Sequence, residues 1–535
     1  MKPITILAAV ALLKVTLASP LIARTTCTNI EGIYRNDCGT IGVSESSCSS
    51  GGCCWNPSTD GSPWCYYPDP ISFSRPTPPD QDAITSWASS QYTYSLSALM
   101  NNLSPAGSKT GCVVAAQSQT NPQYYYHWSR DGALTMYAVT LQYINAIKSG
   151  DTTLQSTYAT LVKNWISFEY GLQSITNPTV SITGNMQDNV GEPKFNIDGT
   201  AYTGAWGRPQ NDGPGLRTRT IVKFLRAYVP NTGDTSYASS LYNMISRDMS
   251  YVVRHYADVC TSGTPCVDLW EERSDSHFYT DMSQRRGLKE GAYYMNTWGN
   301  NSTLASQYLS VASALEPRVD THWVDSLLYY KEMLDVSDRN SPDAAIILGS
   351  IQSRDETDPF VSPSSDKMLS SAYRYTTQFR GHFQINKDRT AYAPAVGRYL
   401  EDVYNGADGV NNNGAGAWLL AINAVAELHY VAAAEFKTAG QASVTAINQP
   451  IFAYYGVSAT TGSVLTGSQL STLITNLFGE GDSYLDTLHY HMGSEQDMTE
   501  QFNPVTGYRQ GAKHLTWSYA SFITAIEARN AFLAL

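Results

Sequence analysis

Two acidic segments, far apart in the sequence, carry side chains suited to the hydrolysis of a glycosidic bond. Residues 268–272 read Asp-Leu-Trp-Glu-Glu, and residues 499–502 read Thr-Glu-Gln-Phe, so the carboxylates of both stand beside aromatic and amide side chains. Such hydrolysis needs one carboxylic acid to protonate the leaving oxygen and a second carboxylate to activate water or attack carbon. The two groups need only meet in space, so Glu271 and Glu500 are a candidate catalytic pair.

The composition describes a globular chain that can bury a large core. The 535 residues are 42% hydrophobic and only 15% charged, with a formal net charge of −12. An acidic chain without long basic runs is a poor partner for nucleic acid or an anionic membrane. Thirty-six Tyr and eleven Trp supply flat side chains that can stack on sugar rings, although most are expected to serve packing.

The first 19 residues have the pattern of a secretory signal peptide. Lys2 precedes an apolar run over residues 4–17, and small residues follow at 18, 19 and 23. A membrane anchor, the alternative, needs about 20 apolar residues, and this run is shorter and contains Lys14. We therefore expect a secreted, extracellular and soluble protein, and a monomer.

The cysteines are concentrated near the N-terminus, where six fall within residues 27–65. In an exported chain this density predicts a disulfide framework, and a zinc cluster is disfavoured because no His lies in the segment. Cys260 and Cys266 are close enough for a small loop-closing bridge, which leaves Cys112 as a buried, inert thiol.

With Gly-Cys-Cys-Trp at 52–55 and Pro-Trp-Cys-Tyr-Tyr-Pro at 63–68, residues 27–68 closely resemble a P-type trefoil domain. The resemblance implies bridges Cys27 to Cys54, Cys38 to Cys53 and Cys48 to Cys65, and a shallow glycan-binding cleft. A spacer that is stabilised by disulfides and binds nothing is an equally good interpretation of the segment. Residues 69–84, which carry four prolines, have the composition of an extended linker.

From residue 85 to residue 535 the pattern is dominated by helical period and indicates an all-α domain. Apolar residues recur three and four apart in segment after segment, and long Gly-, Asn-, Asp- and Pro-rich loops lie between them. The clearest segments are Ala133 to Ile147, Tyr158 to Tyr170, Thr218 to Val229, Tyr237 to Tyr256, Thr303 to Leu315, Trp323 to Leu334, Trp418 to Ala434 and Trp517 to Leu533.

Those loops carry several motifs that together resemble one family. They are Trp-Ser-Arg-Asp at 128–131, Gly-Glu-Pro-Lys-Phe-Asn at 191–196, Trp-Gly-Arg-Pro-Gln at 206–210, the two acidic segments above, Gly-Arg-Tyr at 397–399 and Leu-Thr-Trp-Ser-Tyr at 515–519. Residues 85–535 thus resemble the fungal glucoamylases of glycoside hydrolase family 15 along the whole domain. The resemblance implies an (α/α)6 barrel of six inner and six outer helices, with a pocket built by loops at one end.

The resemblance also implies roles for residues. Glu271 is expected to be the general acid and Glu500 the general base of an inverting, exo-acting glucan 1,4-alpha-glucosidase that releases β-D-glucose from starch and maltooligosaccharides. Glu271 lies between apolar Trp270 and acidic Glu272, surroundings that keep a carboxyl group protonated. Inversion requires the two carboxyl groups to stand roughly 6.5–9.5 Å apart. The expected substrate-binding residues are Tyr124, Trp128, Arg130, Asp131, Trp206, Arg208, Trp270, Glu272, Arg398, Trp418, Gln501 and Trp517.

Two other functions stay open on the sequence. A trehalase or glucodextranase would share the carboxylate pair and differ in its pocket loops, and a secreted lectin would bind glycans without turnover. No metal or organic cofactor is expected, because an acid and a base suffice. Asn301, in Asn-Ser-Thr, is the best candidate for N-glycosylation.

Overall fold

A computed structural model describes residue 38 and residues 42–58, 64–66, 75–258, 260, 266–336, 338–407 and 413–535. The proposed signal peptide (1–19) lies outside the described residues. Among them, helices are α1 (Glu45–Ser50), α2 (Gln81–Met100), α3 (Ser129–Ser149), α4 (Thr152–Leu172), α5 (Pro178–Thr183), α6 (Gly213–Thr232), α7 (Thr235–Ser240), α8 (Tyr242–His255), α9 (Phe278–Thr297), α10 (Ser302–Thr321), α11 (Ala344–Gln352), α12 (Asp366–Gln378), α13 (Gln384–Lys387), α14 (Leu419–Ala439), α15 (Gln449–Tyr454), α16 (Gly467–Met492) and α17 (Thr516–Ala534).

The strands are two to five residues long and lie between helices along the chain. They are β1 (Cys54–Trp55), β2 (Cys65–Tyr66), β3 (His127–Trp128), β4 (Lys194–Phe195), β5 (Trp323–Val324), β6 (Tyr329–Tyr330), β7 (Ala417–Trp418), β8 (Ala442–Ser443), β9 (Val464–Leu465), β10 (Thr499–Phe502) and β11 (Arg509–Lys513). The largest sheet has the order β11-β10-β7, with both pairs antiparallel.

Six helices form a closed inner ring in which α3 packs on α6, then α9, α11, α14 and α17, and α17 packs back on α3. Outside the ring, α2, α4, α8, α10, α12 and α16 each cover one or two inner helices. This is the predicted (α/α)6 barrel, and the all-α prediction is confirmed. A continuous apolar core fills the space between the two layers.

Inner helix α14 shows how fully the ring is buried. It is long and apolar enough to cross a membrane by length and composition, yet 83% of its most apolar window is buried inside the protein. Its small side chains, such as Ala421, Ala424 and Ala426, are almost inaccessible and let neighbouring helices approach closely. The helix therefore belongs to the barrel core.

One predicted helix is wrong. Trp323 to Leu334 has helical spacing of apolar residues, but the chain forms the antiparallel pair β5 and β6 there. The amides of Leu327 and Leu328 donate to the carbonyl of Val324, and Leu328 has a φ of 54° in the left-handed region, which an α-helix does not tolerate. The predicted helix from Tyr237 to Tyr256 is likewise divided into α7 and α8.

Within the described residues, the N-terminal cysteines form two of the predicted disulfide bonds. Disulfides join Cys38 to Cys53 and Cys48 to Cys65 around α1 and the β1–β2 pair. The predicted bridge from Cys27 to Cys54 includes Cys27, which lies outside the described residues. In the barrel, Cys260 is bonded to Cys266 and Cys112 is free and buried.

The first barrel helix begins inside the predicted linker. The described part of that linker, residues 75–80, is not helical, and Asp80 accepts a hydrogen bond from the Ala83 amide at 2.9 Å as the N-cap of α2. Residues 81–84 therefore belong to a helix and not to the extended linker that the prolines suggested.

Candidate active site

A pocket of about 310 Å³ is lined by residues at the starts of the inner helices α3, α14 and α17 and by residues of the loops between helices. Helix α3 follows β3 directly, and α14 follows β7 directly, so aromatic residues of these strands stand at the pocket wall. Twelve of the fourteen residues predicted to act on or bind substrate line this pocket: Tyr124, Trp128, Arg130, Asp131, Trp206, Trp270, Glu271, Glu272, Arg398, Trp418, Glu500 and Trp517.

Glu271 is held by hydrogen bonds to one of its two carboxyl oxygens. Its Oε1 accepts from Nε1 of Trp128 at 2.8 Å and from Nε2 of Gln210 at 2.9 Å, with Nη2 of Arg130 at 3.7 Å. Oε2 has no hydrogen bond to the described residues, so it is the oxygen that can carry a proton toward a ligand. The residue has a φ of 68°, a strained conformation for a residue with a Cβ, of the kind found at functional sites.

Glu500 lies on β10 and is almost completely buried. Its Oε1 accepts from the hydroxyl of Tyr124 at 3.0 Å, and that hydroxyl is also 2.7 Å from the hydroxyl of Tyr404. Burial raises the pKa of Glu500 to about 7, while the hydrogen bonds from Tyr124 and the Ala512 amide and the nearby Arg398 lower it. The site thus opposes a strong desolvation penalty with donors that favour the carboxylate.

Space for the Glu500 carboxylate depends on a glycine. Gly511 on β11 has a φ of 74°, and a Cβ on it would overlap Oε2 of Glu500. Any other residue here would therefore both strain the backbone and displace the carboxylate.

Glu272 is bound to two guanidinium groups. Its Oε1 accepts from Nη2 of Arg398 at 2.8 Å, and its Oε2 accepts from Arg339 and from the hydroxyl of Tyr399. Glu272 therefore does not act on Glu271 as the unpaired like charge that the sequence suggested. Instead it fixes Arg398, whose guanidinium also donates two hydrogen bonds to Asp402, at 2.6 and 2.7 Å.

The aromatic wall presents hydrogen-bond donors that have no acceptor in the protein. Nε1 of Trp206, Trp418 and Trp517 is buried and has no hydrogen-bond partner among the described residues. Buried donors are rarely left unpaired, and all three residues line the pocket. A ligand with hydroxyl acceptors would satisfy them.

A buried lysine organises one side of this wall. Nζ of Lys194 lies 3.5 Å from the ring centre of Trp206 and 4.5 Å from that of Trp128, with Tyr126 and Tyr202 at similar distances. Burial lowers its pKa to about 8. The cation and the rings attract each other and hold the wall in one arrangement.

Two predicted binding residues lie behind the pocket. Arg208 pairs with Glu192 at 2.8 Å and donates to the carbonyls of Tyr202 and Gly204, which fixes the loop before Trp206. Gln501 is fully buried; its side-chain oxygen accepts from the Gly416 amide at 2.9 Å, which joins β10 to the segment before β7. Both support the pocket and neither lines it.

The sequence reasoning missed four residues that contact the central carboxylates: Tyr404, Gln210, Arg339 and Tyr399. Gln210 ends the Trp-Gly-Arg-Pro-Gln motif and Tyr399 ends the Gly-Arg-Tyr motif, so both would have been included if every polar residue of these motifs had been taken as a candidate. Tyr404 lies in the loop after Asp402, among turn-forming residues that carry no special signal. Arg339 is flanked by Asp338 and Asn340 and had no motif to mark it.

Asn301, the predicted glycosylation site, has an additional structural role. Its Oδ1 accepts from the Leu304 amide at 3.0 Å as the N-cap of α10, and its Nδ2 lies 2.9 Å from the hydroxyl of Tyr242. Glycosylation at Asn301 stays a prediction.

Two family models match this chain, one for each region that the sequence distinguishes. The model for glycosyl hydrolases family 15 matches residues 88–527, and the trefoil (P-type) domain model matches residues 27–68. Together they cover the barrel and the disulfide-rich N-terminal segment.

Individual relatives agree with these matches. Glucoamylase 1 of Rhizopus oryzae is 37% identical over 478 residues, which are 86% of this chain and 74% of that protein. Glucoamylase GLU1 of Saccharomycopsis fibuligera is 31% identical over 497 residues, 85% of this chain and 92% of that protein. Among solved structures, a glucoamylase from Saccharomycopsis fibuligera superposes with a TM-score of 0.75 at 29% identity, covering 87% of this chain and 98% of that one.

Proposed function

Because the chain belongs to glycosyl hydrolase family 15, we propose that it is an exo-acting glucoamylase that releases β-D-glucose from the non-reducing ends of starch and maltooligosaccharides. The observation that carries the proposal is that Glu271 and Glu500, which lie far apart in the sequence, line one small pocket with Arg and Trp side chains around them. A pocket of this kind accepts a chain end more readily than the middle of a polymer, which favours exo action.

Glu271 is the proposed general acid. The proton on Oε2 passes to the glycosidic oxygen as the bond to the sugar carbon breaks, and Glu271 is left as a carboxylate. The hydrogen bonds from Trp128 and Gln210 to Oε1 orient the group and stabilise the charge that forms. The strained backbone at Glu271 agrees with a functional residue, whose side-chain orientation matters more than the stability of its backbone conformation.

Glu500 is the proposed general base. It takes a proton from a water molecule while that water attacks the sugar carbon from the face opposite the leaving group, so the configuration at carbon inverts. Tyr124 holds the carboxylate in place by donating to Oε1. A carboxyl separation of roughly 6.5–9.5 Å, which leaves room for the water, stays a prediction.

Recognition of the terminal glucose is assigned to the charged residues at the pocket wall. Arg398 is held by Glu272 and Asp402, and none of the hydrogen bonds among the described residues uses its Nη1, which leaves that nitrogen for a sugar hydroxyl. Arg130 is fixed at 2.8 Å by Gln210 and at 3.0 Å by Asp212, beside Asp131. Trp128, Trp206, Trp270, Trp418 and Trp517 supply apolar faces for the sugar rings.

Replacing Tyr124 with Phe is expected to move the acidic limb of the pH profile to higher pH. The base must be ionised, so kcat/KM falls as pH drops through the pKa of Glu500. The hydrogen bond from Tyr124 lowers that pKa, and its loss therefore raises it. The measurement is kcat/KM on maltotriose against pH. Tyr125→Phe is the matched control, because Tyr125 donates to the Ala106 carbonyl and does not line the pocket. An unshifted limb in Tyr124→Phe would remove Glu500 as the group that sets it.

The proposed function is tested by a proton NMR time course of the purified protein with maltooligosaccharides. Early β-glucose is the expected product, before mutarotation equalises the anomers. Early α-glucose would contradict inversion. Hydrolysis of trehalose or of α-1,6-glucan in place of maltooligosaccharides would indicate the related barrel enzymes, and sugar binding without turnover would indicate a lectin.

Export from the cell and a glycan-holding role for the trefoil segment are further parts of the proposal. The secretory pattern of residues 1–19 and the disulfides of the N-terminal segment support an oxidising, extracellular location. In the trefoil segment, Trp55 and Trp64 pack edge to face at 5.8 Å, and Trp64 is 48% exposed, which leaves one aromatic face for a sugar.

A further inference from the structure

A second cavity, of about 300 Å³, lies within the inner ring below the catalytic pocket. Every inner helix contributes to it, and each contribution comes from well past the helix start. From Ser129 to Tyr137 the chain rises along α3 by about 12 Å, so the cavity stands deeper along the barrel than Trp128 and Arg130. The lining includes Tyr137, Arg219, Arg286, Ile351, Glu427 and Thr524, one from each inner helix.

Basic side chains are prominent at this cavity, and most of them have acidic partners. Arg226 and Arg286 both bind Glu290, and Arg286 also lies 2.9 Å from Asp355. Arg354 binds Glu435 at 2.9 Å. These pairs account for their own charges and offer little to a ligand.

Arg219 and Lys223 are different. None of the ion pairs or hydrogen bonds among the described residues includes either side chain, although Arg219 is only 5% exposed. The guanidinium of Arg219 lies over the ring of Tyr137, with 3.7 Å from its central carbon to the ring centre. That cation–π contact positions the guanidinium, and none of its N–H donors has a hydrogen-bond acceptor among the described residues.

The electrostatics around Tyr137 show positive charge close to its hydroxyl group. Burial alone would raise the pKa of Tyr137, yet Arg219, Lys223 and Arg286 lower it. Burial and the neighbouring Arg286 lower the pKa of Arg219, while Tyr137, Glu427 and Glu290 raise it. A buried cation without a direct ion-pair partner is costly, and an anion in the cavity would relieve the cost.

Acidic residues at the cavity offset this charge only from beyond ion-pair distance: Glu427 and Glu290 raise the pKa of Arg219, yet none of the ion pairs among the described residues includes its guanidinium. Burial raises the pKa of Glu427 to about 7, although the hydrogen bond from Thr524 and the charges of Arg219 and Arg354 lower it, so Glu427 is mainly the uncharged acid in mildly acidic solution. Glu527 accepts hydrogen bonds from two neutral donors, Asn145 at 2.8 Å and the hydroxyl of Tyr92. Arg219 also lies too far from the C-terminus of α6 for its charge to be stabilised by the helix dipole.

We propose that this cavity binds a small tetrahedral oxyanion, inorganic phosphate or sulfate, through Arg219 and Lys223. The two residues are four apart on α6 and so share one face of the helix. A planar guanidinium presents two parallel N–H donors that match two oxygens of such an anion, and the lysine adds a point charge. The site is independent of sugar hydrolysis, because none of its residues lines the catalytic pocket.

The experiment is isothermal titration of the full chain with inorganic phosphate in mildly acidic buffer at constant ionic strength. The wild type is expected to bind one phosphate saturably, and sulfate is expected to compete for the site. Arg219→Gln and Lys223→Gln should each weaken binding by about tenfold or more, the usual effect of losing one charge-assisted hydrogen bond. Arg254→Gln removes the same charge from an exposed position on α8 and should bind like the wild type.

Three results would overturn the proposal. The first is no saturable binding by the wild type, and the second is displacement of phosphate by chloride at the same ionic strength, which indicates an adventitious ion only. The third is unchanged phosphate affinity in Arg219→Gln or in Lys223→Gln. Maltotriose hydrolysis by each variant serves as the check that the barrel has folded.

Discussion

Glu500→Gln is expected to lower kcat on maltotriose by about 10²–10⁴-fold with little change in KM. The amide has nearly the same shape as the carboxylate and can still accept the hydrogen bond from Tyr124, so the pocket should keep its form. What it loses is the ability to take a proton from the attacking water. The measurement is steady-state kinetics together with a far-UV spectrum to verify the fold.

A second variant separates loss of the base from loss of the site. Glu500→Ala leaves space where the carboxylate stood, and azide can then attack the sugar carbon without a base. We expect azide to restore turnover and to give a β-glucosyl azide from α-linked substrates. Glu356→Gln, at an exposed carboxylate remote from the pocket, is the matched control and should behave like the wild type. If the kcat of Glu500→Gln were within about threefold of the wild-type value, the loss would be smaller than a general base contributes, and the role of Glu500 would be refuted.

Glu271→Gln is expected to lower kcat on maltotriose by a similar factor of about 10²–10⁴ and to spare substrates whose leaving group needs no proton. Fluoride departs from α-glucosyl fluoride without protonation, so this variant should hydrolyse it at a rate much closer to that of the wild type. Glu500→Gln should be slow on both substrates, because water must be activated in either case. The ratio of the two rates in each variant is the measurement.

The adjacent carboxylate provides the contrast for this experiment. Glu272 binds Arg398 and Arg339, so Glu272→Gln should weaken sugar binding and affect both substrates alike. If Glu271→Gln lost activity on the fluoride as severely as on maltotriose, Glu271 would be a binding residue or a structural one. The general acid would then have to be sought among the other pocket carboxylates, beginning with Asp131, whose pKa burial raises to about 6.

Helical period predicted the all-α domain well because most helices place apolar residues three and four apart where they pack on their neighbours, and the resemblance of the loop motifs added the (α/α)6 arrangement. Helix α3, for example, was expected over Ala133 to Ile147 and spans Ser129–Ser149. Prediction failed where apolar spacing had another cause. Between Trp323 and Leu334 the aromatic residues cover the core from a hairpin, and only the backbone turn at Leu328 distinguishes that arrangement from a helix.

The site was predictable to the extent that its residues stand in motifs. Motif membership does not say which way a side chain points, and this is why Arg208 and Gln501 were expected in the pocket although they support it from behind. Arg339 reaches Glu272 from a loop whose position depends on the packing of α11. A contact of that kind depends on tertiary packing and leaves no trace in local sequence.

The closure of the inner ring has a consequence for how the protein folds. The final helix, α17, packs on α2 and α3, and Thr516 donates from its hydroxyl to the carbonyl of Val114 across 402 residues of sequence. Contacts so distant form late, because the entropy of closing the intervening chain must be overcome first. Glu500 and Trp517 belong to this last segment. A nascent chain therefore completes its barrel and its catalytic pocket in the same late step.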